Sequence, residues 1–92
     1  MSGDRQRIDV WLFRARLAKT RSDAARLVTE GGVRLLRQGR SARLEKASAE
    51  IAPGDVIVFP VRGQVKAIQV LGLGKRRGPL PEARMLYLEH VR

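Results

Sequence analysis

The sequence contains no cysteine and a single histidine, His90. Disulfides and thiolate metal sites are therefore excluded, and so are most nucleophile–base pairs and His/Cys zinc sites. No enzymatic activity, cofactor or metal is expected. Aromatic residues are equally scarce, since Trp11, Phe13, Phe59 and Tyr87 are the whole complement. Each lies in an apolar stripe and is expected in the core rather than as a stacking platform for single-stranded bases. No apolar run approaches the ~20 residues that cross a bilayer. Met1 to Arg7 lead into nothing resembling a signal peptide, so a soluble, cytoplasmic chain without a membrane partner is expected. Acidic residues are the last deficit, nine against nineteen Lys and Arg, for a net charge of +10. Such an excess costs self-repulsion and is usually retained where the partner is a polyanion, with nucleic acid the leading candidate.

At 92 residues, 43% of them hydrophobic, the chain can form one modest core. Ile8, Trp11, Leu12 and Ala15 recur at helical spacing, with Val10, Phe13 and Leu17 as a second stripe, which predicts a helix over residues 8–18 packed on two faces. Thr20 with Asp23 three residues on forms a capping-box pattern for a second helix over 21–30. Gly31 is expected to end that helix in the left-handed conformation, and Lys19 and Thr20 to be the break of a helix-turn-helix. The pattern then alternates: Val33-Arg34-Leu35 predicts a strand, Gln38-Gly39 and Pro53-Gly54-Asp55 predict turns, and Val56–Phe59, turned at Arg62-Gly63-Gln64 into Val65–Leu71, predicts a hairpin. Gly72 to Pro79 reads as a basic loop. Pro81 can open a last helix with Ala83, Leu86, Tyr87 and His90 on one side. The expected fold class is α+β, with an N-terminal helix-turn-helix pair packed on a small, mainly antiparallel sheet, and a C-terminal helix.

Phosphates along a folded RNA call for fixed cationic donors, and Arg7, Arg14, Arg16, Lys19, Arg21 and Arg26 fall within twenty residues of one another. Arg7 and Arg14, seven residues apart, are expected on one exposed strip, and free amides at the start of the second helix add an anion site beside Arg21. The bland alternative is a solvated face in which Asp9, Asp23 and Glu30 neutralise some of these arginines. Lys75-Arg76-Arg77 forms a second cluster. Gly72-Leu73-Gly74-Lys75-Arg76 lacks the spacer and the hydroxyl of a nucleotide-binding loop, so no small-molecule substrate is expected. Asp55 has no carboxylate partner nearby and reads as a turn residue.

Arg7-Ile8-Asp9, Leu12, Thr20-Arg21, Ala24, Leu27-Val28 and Gly31-Gly32-Val33 resemble the S4-like RNA-binding domain over about half the chain. Pro53-Gly54-Asp55-Val56-Ile57 resembles its closing turn and strand. Arg76-Arg77-Gly78-Pro79 with Glu82-Ala83, Leu86-Tyr87 and Glu89 is similar to the tail of the ribosome-associated heat-shock protein 15 family. The resemblance implies an S4-like domain over residues 1–71, with 72–92 as a basic loop and helical extension of the same domain. It implies binding to ribosomal RNA of the large subunit, in the handling of stalled or dissociated subunits that carry nascent chain and tRNA. The RNA face implied by position is Arg7, Lys19, Thr20, Arg21, Ala25 and Arg26, with Arg16 at a further basic position and Arg34 beside them. Arg14 rests on spacing alone, and Lys75, Arg76 and Arg77 on their charge. The family usually has an Asn-Gly turn where this chain reads Leu36-Arg37-Gln38-Gly39, so a longer hairpin is expected. The free protein is expected to be a monomer. Two alternatives remain: an RNA-targeting accessory domain for a separate RNA-modifying enzyme, and charge-driven association with acidic surfaces.

Overall fold

The computed structural model describes residues 4–61 and 63–90. The chain order is β1 (Gln6–Arg7), α1 (Ile8–Arg14), α2 (Arg21–Glu30), β2 (Arg34–Arg37), β3 (Arg40–Arg43), β4 (Glu50–Ile51), β5 (Val56–Val61), β6 (Gln64–Val70), α3 (Leu80–Arg84) and β7 (Tyr87–His90). The main sheet has the order β3-β2-β5-β6-β7 and every pairing in it is antiparallel, while β1 and β4 form a separate two-stranded pair. The fold is thus α+β. Ile8, Trp11, Leu12 and Ala15 from α1 and its end, with Ala24 and Val28 from α2, are buried in one core with Leu35, Ile57, Phe59, Ile68 and Val70 of the sheet.

The first helix is shorter than its apolar period suggests, ending at Arg14 instead of Ala18. Arg16 is left-handed, at φ 61°, the Leu17 N–H donates back to the Leu12 carbonyl at 2.9 Å, and the Arg16 N–H to that of Phe13 at 3.1 Å. These are the two bonds of a Schellman stop, with arginine where glycine is usual, at a cost of about 1 kcal/mol. The break between the helices is therefore residues 15–20 rather than Lys19-Thr20 alone. The second helix follows its sequence signals, since the Thr20 Oγ1 accepts the Asp23 N–H at 2.9 Å. Its left-handed residue is Gly32, at φ 73°, whereas Gly31 stays right-handed at φ −93° and donates its N–H to the Leu27 carbonyl.

The hairpin after α2 is not lengthened. Gln38 (φ 52°) and Gly39 (φ 79°) are the two residues of a primed turn, the form that Asn-Gly also favours, and β2 and β3 pair closely on either side. The expected β5–β6 hairpin forms, with Val56 opposite Gln69 and Val61 opposite Gln64. Arg62, expected in its turn, lies outside the described residues. The last helix spans only Leu80–Arg84, and Tyr87 and His90 belong to β7 instead. The outer edge of β6 would otherwise leave its amides and carbonyls unpaired, and Tyr87–His90 satisfies them. Tyr87 meets Trp11 edge to face, with ring centroids 6.4 Å apart.

Candidate nucleic-acid interface

Two groups of cations flank α1, and their side chains are used differently. At the α1–α2 junction Lys19, Thr20, Arg21 and Arg26 are all exposed, and Ala25 sits one turn after Arg21 on α2. Lys19 and Arg26 have no ion-pair partner among the described residues. Arg21 opens α2 at the residue after the Thr20 cap, whose Oγ1 takes the Asp23 amide of the first turn. Across the junction Arg7 reaches the Asp9 carboxylate with two hydrogen bonds, Nε to Oδ1 at 3.1 Å and a terminal nitrogen to Oδ2 at 2.9 Å. The Arg21 guanidinium lies 4.0 Å from the same Oδ2. Asp9 is buried, and its Oδ1 also accepts the Val10 N–H at 2.8 Å. Arg34, on β2, is exposed and bonds Ser41 Oγ at 3.0 Å, directly opposite the exposed Arg43 in the hairpin register.

Arg14 is not on an open strip with Arg7. It is partly buried and donates to the Gly74 carbonyl at 2.7 Å, an acceptor it shares with Gln6 at 2.8 Å. Trp11 Nε1 donates to the Gly72 carbonyl at 2.8 Å and Arg16 Nε to that of Gly78 at 2.6 Å. Residues 72–78 are therefore a strap laid along α1. Arg77 closes it, with its guanidinium 4.7 Å over the Phe13 ring and a weak bond to the Ala18 carbonyl at 3.4 Å. Arg76 pairs with Glu82 at 2.7 Å, a hydrogen bond that raises its pKa above the ordinary arginine value. Lys75 is exposed and has no ion pair among the described residues. The structure thus brings Arg7 and Arg21 together at Asp9, leaves Lys19, Thr20 and Arg26 exposed, and sets Arg14, Arg16, Arg76 and Arg77 in contacts within the protein.

Sequence reasoning missed the ion pair between Arg37 and Asp55. Arg37 grips the buried carboxylate with two bonds, at 2.9 and 2.7 Å, and the Ala52 N–H adds a third at 2.8 Å. Burial pushes the Asp55 carboxyl up, but the Arg37 hydrogen bonds, the Ala52 amide and the charges of Arg37 and Arg5 outweigh it and hold the pKa below the usual aspartate value. Bonding to Asp55 likewise raises the pKa of Arg37. An aspartate closing a Pro-Gly-Asp turn was the visible signal. Its partner is eighteen positions away and needed the sheet to be found.

Comparison with known proteins bears on the fold and the family. The S4 domain profile matches residues 6–35, from β1 through α2 into β2. A heat shock protein 15 homolog of Haemophilus influenzae is 32% identical over 83 residues, which are 90% of this chain and 60% of that protein. The chain therefore spans a little under two thirds of that relative's length. The trimeric structure of Vibrio cholerae heat shock protein 15 superposes with a TM-score of 0.78 and 32% identity, covering 95% of this chain and 83% of that one. This chain belongs to the heat shock protein 15 family and carries, at residues 6–35, the S4 domain, an RNA-binding module.

Proposed function

We propose that this protein is a non-catalytic binder of large-subunit ribosomal RNA in the cytoplasm, handling stalled or dissociated subunits that carry nascent chain and tRNA. The observation that carries the RNA reading is the α1–α2 junction, where Arg21, Lys19 and Arg26 are exposed beside a capped helix start inside the S4 match. The ribosomal part rests on kinship with heat shock protein 15. Arg7, Lys19, Arg21, Arg26, Arg34 and Lys75 are the phosphate contacts, with Thr20 and Ala25 lining the face. Arg14, Arg16 and Arg77 hold the strap in place, and Arg76 is held by Glu82. Residues 72–92 are read as an extension of the S4 unit in residues 1–71, a reading supported by the bonds from α1 to Gly72, Gly74 and Gly78.

Co-sedimentation with isolated large subunits tests this reading. Six phosphate contacts give a log-log salt slope of about −4 to −5. A slope near zero, or equal binding to small subunits, would reject the ribosomal assignment. The free chain is read as a monomer because a net charge of +10 repels its copies. Analytical ultracentrifugation checks that, and a trimer would replace it.

A further inference from the structure

A carboxylate is an odd component for a face that must attract phosphate. Asp9 nevertheless sits between two of the candidate contacts, with a side chain only 5% exposed, while the Arg7 and Arg21 side chains are 49% and 57% exposed. Simple electrostatics makes it a liability, because it cancels a cation and repels the ligand. Its geometry suggests another role. Arg7 ends β1 and Arg21 starts α2, so no local backbone geometry fixes one guanidinium relative to the other. The Asp9 Oδ2 faces both, at 2.9 Å and 4.0 Å, and Oδ1 is pinned by the Val10 N–H. Backbone bonds from Ile8 and Asp9 N–H to the Ala49 and Ala47 carbonyls hold the start of α1 in place.

We propose that Asp9 is a positioning residue for the RNA face, a buried fixed point that grips Arg7 with two hydrogen bonds and draws Arg21 toward it by charge, so that the two arginines form a clamp on backbone phosphate. The proposal rests on the RNA reading above. An arginine that lies free must be ordered when it binds, and a flexible side chain loses about 0.5–1.5 kcal/mol in being immobilised. A planar guanidinium gripped by two bonds through one edge has already lost much of that freedom, while its remaining N–H groups stay available to phosphate. Asp9 therefore gives up some charge in return for order.

The two accounts predict opposite signs for Asp9→Asn. The asparagine Oδ1 can still accept the Val10 N–H, but the charge that grips the arginines is lost. With deproteinised large-subunit ribosomal RNA as the probe in filter binding, the variant is expected to bind ~3–10-fold more weakly although the protein has become more cationic, with a salt slope shallower by about one contact, ~0.7–0.9. In an Arg7→Ala background the same change should weaken binding by less than ~2-fold, since most of what Asp9 orders is already gone. Tighter binding by Asp9→Asn, or the same loss in both backgrounds, overturns the proposal. Arg7→Lys covers the case in which Asp9→Asn does not fold: it keeps the charge and loses the two-bond grip, so ~3-fold weaker binding is expected and unchanged binding refutes the clamp. Arg21→Glu separates the two levels. If it binds like the parent, the RNA face itself fails. If it loses affinity while Asp9→Asn gains, only the clamp fails.

Discussion

The α1–α2 junction and the 72–78 strap contain similar densities of positive charge, yet the protein uses them in opposite ways. At the junction, Lys19 and Arg26 point to solvent without ion pairs among the described residues, and Arg21 is only loosely approached by Asp9. In the strap, Arg77 lies on Phe13 and Arg76 on Glu82, while Arg14 and Arg16 reach in from α1 to bind its carbonyls. A cationic cluster is thus read as a phosphate site where its guanidiniums keep N–H groups open to solvent, as the half-exposed Arg7 does although one edge of it is bonded to Asp9. The Arg37–Asp55 pair is the extreme case, an arginine committed to a buried carboxylate.

Arg37→Ala should give the largest effect and mark the structural end of this comparison. It leaves the Asp55 carboxylate buried with only the Ala52 amide, at an expected cost of about 2–3 kcal/mol in a chemical denaturation experiment, toward the lower end for broken buried pairs because Arg37 is partly exposed. The folded pKa of Asp55 lies below its unfolded value, so its contribution is complete above the unfolded value and lost as pH falls through the folded one. The parent should therefore lose stability on acidification below about pH 4, and the variant should show less of that loss. Identical acid profiles would mean that the pair is not coupled to folding.

Arg21→Glu tests the other end. A carboxylate suits the start of α2, which offsets its repulsion from Asp9, so the melt should change little, while binding to ribosomal RNA should weaken at least ~10-fold, about 1.4 kcal/mol. Normal binding with a normal melt would remove the junction as the site. Arg77→Ala should show the reverse pattern on a smaller scale. Losing the guanidinium over Phe13 is expected to lower stability by about 1 kcal/mol, with RNA affinity at low temperature changed by less than ~2-fold. A large loss of affinity with an unchanged melt would place Arg77 beside Lys75 on the binding surface and erase the distinction between the two regions.

The parts of the fold that were legible in the sequence are those written in local chemistry. Thr20 with Asp23, the paired Gln38-Gly39 turn and the apolar period from Ile8 to Ala15 act within a few residues, and each appears where it was expected. The errors share a different cause. The apolar period runs on to Leu17, but the chain turns at a left-handed Arg16 that its sequence does not advertise. Tyr87 and His90 fit a helix locally and form a strand because β6 needs a partner. In the candidate site, the chain positions named the cations but not their commitments. Whether Arg14 or Arg21 is free depends on carbonyls sixty residues away from Arg14 and a carboxylate twelve residues from Arg21.

Apart from Arg77, the strap is held through backbone oxygens, those of Gly72, Gly74 and Gly78, which accept from Trp11, Arg14 and Arg16. Such a tether leaves the Lys75 and Arg76 side chains out of it, although Gly74 packs against Arg14 and Leu86, and Gly78 against Glu82, too closely to take a Cβ without a shift. Randomising positions 75 and 76 and selecting for folded protein should accept most residues there, whereas randomising Trp11 should reject nearly all. The charge at Lys75 is then free to change while the strap keeps its path, so specificity can drift at that position without the fold being renegotiated.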